Sequence, residues 1–202
     1  EKLVLEDWHQ SPDYNNLKIA RVKCLTQRNL EQLDIDTFAQ GHISLVVVPE
    51  NNNQIKNEEN KYEKLFNFLD QRRLLTTRIH IVEPLYVSVA IEAKLVIHDG
   101  AQAEAVKNKA QTEVTMFFDT LKSGKYWQGK GWQFGRSIYL SELYKILDSL
   151  EGVDYVENLQ IKDKDNNPQS EIYLAENQLV NFNLEDSQFT IVVEVGNEQK
   201  SI

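Results

Sequence analysis

The sequence predicts an α+β protein of two small domains, each a mainly antiparallel sheet with helices packed on one face. Three observations carry this. Stretches with the two-residue alternation of a half-buried strand and stretches with helical three-and-four spacing follow one another without the strict alternation of a parallel α/β fold. The clearest alternation begins just after Pro84, where a proline ends the preceding ladder. Glycines 124, 129, 131 and 135 crowd around Trp127, Trp132 and Phe134 and run straight into a helical pattern. The boundary is therefore expected at Pro84, with residues 1–84 in the order β-β-α-β and residues 85–202 in the order β-α-α-β-β-β.

In chain order, residues 1–16 read as an arm or short helix anchored by Leu3, Leu5, Trp8 and Tyr14. Leu17 to Leu25 alternates as a strand. Arg28 to Gln40 is a loop or a single helical turn closed by Gly41, and His42 to Pro49 is a β-branched central strand. The asparagine-rich stretch Glu50 to Glu58 is a polar loop. Tyr62, Leu65, Phe66 and Leu69 share one helix face, with Arg72 and Arg73 placed to complement the helix C-terminus. Thr76 to Val82 is the next strand.

After Pro84, Val87, Val89, Ile91, Ala93, Leu95 and Ile97 take one face of a long strand, opposite Ser88, Glu92, Lys94 and His98. Ala103 to Leu121 follows as a helix of about twenty residues by its apolar spacing, closed by Gly124. Ser137 or Ser141 is expected to cap a further helix whose Leu140, Leu143, Leu147 and Leu150 face inward, with Gly152 after its end. Val153 to Ile161 is a strand, Asp163 to Gln169 a turn, and Ile172 to Leu174 with Phe189 to Val195 complete a sheet.

Composition narrows the function classes. Acidic residues outnumber basic ones 31 to 22, for a net charge of −9, so a phosphate-coated partner would be repelled; no nucleic-acid role is expected. A hydrophobic content of 41% supports a sizeable core in 202 residues. The longest apolar run, Ile43 to Pro49, falls far short of the roughly 20 residues of a membrane helix, so no membrane insertion is expected. Cys24 is the single cysteine, which leaves no internal disulfide. The sequence begins at Glu1 rather than methionine and is expected to be a piece of a longer polypeptide.

Chemical signatures are weak. Gly124 to Gly131 nearly matches a phosphate-binding loop, but Gly131 stands where the metal-binding hydroxyl belongs, and the loop follows a helix rather than a strand. His9, His42, His80 and His98 are scattered singly, without the convergent spacing of a metal site. No serine or cysteine sits in a nucleophile motif. The acidic residues are too numerous for any pair to be singled out. No enzyme activity, catalytic residue, metal ligand or cofactor is therefore expected.

What stands out is arginine and tryptophan, which carry a disproportionate share of binding energy at protein interfaces. The residues nominated for an interface or for packing the loop are Arg72, Arg73, Arg78, Trp127, Trp132, Phe134, Arg136, Tyr139 and Glu142. The plainer reading of the same residues is internal: Arg72 and Arg73 on a helix end, and Arg136 paired with Glu142 or a carbonyl. A rival from another class is a small-ligand or carbohydrate-binding module using the aromatic loop 126–134. Rings exposed around polar groups would favour that rival, and burial beneath the helix at 138–150 would remove it.

Two blocks are specific enough to compare with a family: Phe68-Leu-Asp-Gln-Arg72-Arg73-Leu-Leu-Thr-Thr-Arg78-Ile-His80-Ile-Val-Glu-Pro84-Leu-Tyr86-Val, and Gly129-Lys-Gly131-Trp132-Gln-Phe134-Gly135-Arg136-Ser-Ile-Tyr139-Leu-Ser141-Glu142-Leu-Tyr144 followed by Gly152-Val-Asp. With Ala20 to Cys24 and Leu174 to Val180, they resemble the baseplate assembly proteins of contractile phage tails and phage-like injection systems, the family related to the baseplate J protein. Gln133 stands where that family is expected to have proline, and Ser123-Gly124 where a glycine pair is expected. The resemblance implies a C-terminal portion of a longer structural subunit. It implies a wedge component that assembles in the cytoplasm into a phage tail-like particle and passes the firing change to the sheath. The implied partners are other wedge, hub and sheath-proximal subunits and further copies around the wedge ring, with no cofactor.

Overall fold

A computed structural model describes residues 1–50, 61–195 and 198–201. The loop expected over 50–58 lies outside the described residues from position 51 onward. The chain divides into two compact units, one of Glu1–Leu85 with Ala175–Asn177, the other of Tyr86–Leu174 with Gln178–Ile202. The class is α+β, as the mixed periodicities predict.

The first unit is a three-stranded sheet in the order β1-β2-β3, with β1 Ile19–Thr26, β2 His42–Pro49 and β3 Arg78–Val82, and one helix, α1, Glu63–Asp70. β1 and β2 are antiparallel, whereas β2 and β3 are parallel because α1 lies on the connection between them. β2 is buried from Leu45 to Pro49, as its continuous β-branched run requires of a central strand. Leu65 and Leu69 close the core from α1 against Ile19, Val22, Leu45, Val47 and Ile81.

The opening segment is more integrated than an arm. A π-helical turn at Leu3–Asp7 and a 3₁₀ turn at Trp8–Gln10 carry Val4 and Trp8 into this core. The Trp8 indole N–H donates to the Leu17 carbonyl at 2.8 Å, and its ring meets Phe68 edge-on at 5.3 Å.

The second unit is built on β4, Leu85–Ile97, a thirteen-residue strand that alternates at Glu92 and Lys94 but is buried without a break at Val89–Ile91 and Leu95–Ile97. Its main sheet has the order β11-β10-β4-β6-β7, and β9 also pairs with β4. The helices are α2, Ala103–Phe118, and α3, Leu140–Asp148. The remaining strands are β5 Ile138–Tyr139, β6 Val153–Lys162, β7 Pro168–Gln169, β8 Glu171–Ile172, β9 Gln178–Phe182, β10 Gln188–Val195 and β11 Glu198–Ser201. β10 runs parallel to β4, whereas β6 runs antiparallel to it with two bulges. α2 lies against β9 and β10, and α3 against β6.

Four local expectations need correction. α2 stops at Phe118, short of Gly124, because the Asp119 carboxylate accepts the Leu121 and Lys122 N–H groups at 2.6 Å each and turns the chain out of the helix. Neither Ser137 nor Ser141 caps α3; Tyr139 occupies the cap position without a side-chain bond, and the Leu140 N–H is satisfied by the Ser170 carbonyl at 3.2 Å. Ile172 does not join the main sheet but pairs with Ile138 in a separate two-stranded one. The strand β9 falls in a stretch read only as the end of the sequence resemblance.

Candidate functional site

The glycine-aromatic loop is organised from within. Ser123, fully buried, donates its hydroxyl to the Tyr126 carbonyl at 2.6 Å and accepts the Gly131 N–H at 3.1 Å, so one side chain clasps both sides of the turn. The Trp132 N–H then donates to the Asp119 carbonyl at 2.8 Å, anchoring the loop to the exit of α2. Between these ties, Trp127 and Gln128 take left-handed φ values of 48° and 56°, uncommon for residues with a Cβ. Gly131, at φ 79°, passes so close to the α2 exit that an added Cβ would meet the Thr120 carbonyl and lie 2.8 Å from the Leu121 nitrogen.

This path delivers the rings to one place. Trp132 is 0% exposed, and its ring lies 5.2 Å from Phe117, 5.3 Å from Phe118 and 5.1 Å from Trp127, mostly in edge-on or tilted geometry. The Trp127 indole donates to the Phe117 carbonyl at 2.8 Å, and that of Trp132 to the Arg136 carbonyl at 3.1 Å. The Arg136 guanidinium sits over both indoles, 4.3 Å from the Trp127 centroid and 5.7 Å from that of Trp132, and its Nη2 pairs with Glu142 Oε1 on α3. Arg136 Nε and Glu142 Oε2 are buried without a hydrogen-bond partner among the described residues, so the pair is end-on rather than forked.

Beside this cluster lies a cavity of about 490 Å³ lined by Phe117, Lys125, Tyr126, Ser141, Glu142, Lys145, Ile146 and Ser149. One wall is held by Glu113, which accepts from the Tyr126 hydroxyl at 2.7 Å and from Lys125 at 2.9 Å. Burial works against the Glu113 charge, but the hydrogen bonds from Lys125 and Tyr126, with the charges of Lys125 and Lys109, outweigh it and hold the carboxyl below its ordinary value of 4.5. Burial, then the bond to Glu113, pushes the Tyr126 phenol well above the usual range, so it remains a proton donor at neutral pH.

A depressed carboxyl value gives a signed expectation. The stability Glu113 contributes is present above the unfolded-state value of 4.5 and is lost as pH falls through the folded-state value. Urea titrations of Glu113→Gln and the parent chain are expected to differ at neutral pH and to converge as pH falls through the folded-state value. A gap that stays constant with pH would show that the interaction does not depend on charge.

The nominated residues divide between the two units. Trp127, Trp132, Arg136 and Glu142 meet in one cluster. Phe134 is half-buried in the same loop, and Tyr139, 41% exposed, pairs with Glu171 in the small sheet. Arg72, Arg73 and Arg78 belong to the first unit. Arg72 donates to the Phe68 carbonyl at 2.7 Å and stacks on the Phe68 ring at 3.9 Å, and exposed Arg78 opens β3. The ligand-platform reading of loop 126–134 loses Trp132, which is wholly buried. Trp127 spends its faces on Phe117, Trp132 and Arg136.

The fold has a solved counterpart. It is similar to a chain described as "Cryo-EM structure of the anti-feeding prophage (AFP) baseplate, 6-fold symmetrised", with a TM-score of 0.57 and 13% sequence identity, over 87% of this chain and 35% of that one. This chain therefore spans about a third of that counterpart's length, and at this identity the likeness is one of fold. Neither a protein family nor a curated protein matches the sequence.

One constellation escaped the sequence reading. His42 Nδ1 and His80 Nε2 lie 2.7 Å apart with parallel rings, and His80 Nδ1 is 2.8 Å from Glu31 Oε2. The parallel β2–β3 register, with Ser44 opposite His80 and His42 opposite Arg78, places the two imidazoles on one face at neighbouring positions. Burial, then His80 and Arg78, hold His42 below its ordinary value, which disfavours a second proton on the pair. Among the described residues no group of three or more His, Cys, Asp or Glu side chains converges on a metal-sized site.

Proposed function

We propose that this chain is part of a baseplate subunit of a contractile phage tail-like injection system, a non-enzymatic wedge component of the J-like kind that assembles in the cytoplasm. The observation that carries the reading is the fold likeness to a chain of the anti-feeding prophage baseplate over 87% of the present chain. The internal arrangement of the glycine-aromatic loop supports it. The long Gly-Trp-x-Phe-Gly-Arg motif serves to lock a scaffold, with its indoles, arginine and glutamate spent on one another. Rigid units joined into larger assemblies need this more than they need a reactive cleft.

In this role the partners are neighbouring wedge, hub and sheath-proximal subunits and further copies around the ring, and the conformational change of firing passes through the subunit to the sheath. Deleting the gene for the full-length chain in its natural host is expected to abolish complete sheathed particles by electron microscopy, leaving free tubes or partial assemblies. Intact particles that still contract without it would overturn the proposal.

A further inference from the structure

The histidine pair of the first unit stands where a loop is fastened to the sheet. Residues 27–41 leave β1 and return to β2, and both ends of this loop meet on the backbone of His42. The Gln27 N–H donates to the His42 carbonyl at 2.7 Å, and the His42 N–H donates to the Ala39 carbonyl at 3.2 Å. Within the loop, the Glu31 carboxylate reaches His80 Nδ1 at 2.8 Å, and Ser44 adds a tie by accepting the Leu30 N–H and donating to the Arg28 carbonyl, each at 2.9 Å. The Arg78 N–H joins the start of β3 to the Gly41 carbonyl at 2.8 Å.

The contact between the two rings has room for one proton. His42 Nδ1 and His80 Nε2 are 2.7 Å apart, the ring planes are within 1° of parallel, and the centroids are 5.0 Å apart. The nitrogen contact and the two ring radii account for that centroid spacing, so the rings meet edge to edge in one plane, in the geometry of a hydrogen bond. Such a bond needs a hydrogen on one nitrogen and a lone pair on the other. A hydrogen on each facing nitrogen would set two donors against each other with no acceptor between them.

The surroundings decide which charges act on the pair. Ile43, Ile79 and Ile81 alternate with the histidines and pack toward Leu65 and Leu69 of α1, so the imidazoles lie on the sheet face away from that helix. On the elements around them the charged groups are Arg78 on β3, Arg28, Glu31, Asp34 and Asp36 on the loop, Arg73 on the turn before β3, and Arg21 and Lys23 on β1. Arg28 donates to the Gln27 carbonyl at 3.0 Å, and Arg73 is held by Asp70 and by the Thr77 carbonyl.

We propose that His42, His80 and Glu31 form an acid-sensitive latch: one proton between the rings keeps the 27–41 loop seated on β2 and β3, and a proton on each facing nitrogen parts the rings and releases the loop ends from the His42 backbone. The latch stands independently of the assembly reading. His42 opens β2, where the ladder begins, so the release is local and leaves the rest of the sheet paired. Burial, then His80 and Arg78, already keep His42 below its ordinary value of 6.5. A lowered imidazole value means that the fold favours the neutral ring. The stability of the closed loop is therefore present above 6.5 and is lost as pH falls through the lowered value.

Amide hydrogen exchange of the whole chain, corrected at each pH for the intrinsic rate of an open backbone, tests the latch. Protection at Gln27, His42 and Arg78 is expected to fall by up to about tenfold per pH unit below 6.5, the slope of a one-proton linkage, while protection at Val46 in the middle of β2 stays constant. His42→Asn keeps a hydrogen-bonding atom near the Nδ1 position but takes up no proton, and is expected to remove this pH dependence. Protection that is flat with pH in the parent chain, or that falls equally in His42→Asn, overturns the proposal. The imidazole NMR signals of the parent chain give a readout that needs no variant: the coupled pair is expected to titrate in two separated steps, and both rings titrating together in a single step overturns the latch.

Discussion

Replacing Trp132 by alanine is expected to destabilise the second unit by about 3–5 kcal/mol, the usual cost of emptying a fully buried tryptophan site. The ring has no exposed surface and packs between Phe117, Phe118 and Trp127. Collapse around the vacancy is limited on three sides: Arg136 stacks on Trp127 from above, Ser123 clasps the loop, and Asp119 holds the backbone of residue 132. Set against a typical total stability of roughly 5–15 kcal/mol, such a loss removes a large fraction of it. Urea titration followed by far-UV circular dichroism reads the effect without depending on tryptophan fluorescence. A loss below about 1 kcal/mol would show that the loop is not part of the core, and would return it to the surface as a contact element.

Gly131→Ala is expected to be nearly as damaging although it adds one methyl group. The position has φ 79°, which costs a residue with a Cβ about 1–2 kcal/mol. The added atom would also meet the backbone of Thr120 and Leu121, which cannot swing aside as a side chain can. Overpacking of that kind costs about 1–3 kcal/mol more. Gly100→Ala is the control, since φ there is 85° but nothing lies within 4 Å of the added atom, so only the conformational cost of about 1–2 kcal/mol is expected. Equal midpoints for the two variants in the same titration would mean that the loop does not press against the exit of α2.

How much of this was legible in advance differs by element. β4 was readable as a strand because its apolar face writes itself into every second position, but the burial of Ala90 and Val96 on the opposite face was not. α2 was readable along its apolar stripe but not at its end. The stripe continues in spacing to Leu121, whereas the chain leaves the helix when Asp119 offers its carboxylate to two backbone N–H groups. The parallel β2–β3 pair and the pairing of β9 with β4 were hidden, since periodicity reports that a face is covered and not by which strand.

The candidate residues show the same division. The pairing of Arg136 with Glu142 was already open to a plain reading of spacing, six positions apart across the start of a helix. The meeting of His42 with His80 was not, because thirty-eight positions of sequence separate them and only the sheet register joins them. Exposure of Leu74 and Leu75 was equally invisible, since residue type does not report whether another segment closes over a side chain.

The sequence by itself determined the α+β class, the dominant strand after Pro84 and the special character of the loop from Gly124 to Arg136, all of which rest on local periodicity, glycine and aromatic content. Only the tertiary structure decided that this loop turns its tryptophans inward and that Leu74 and Leu75 of the first unit face solvent. The reason is physical: a side chain's fate depends on which distant segment closes over it, and that closure is set by sheet register and packing that no local window contains.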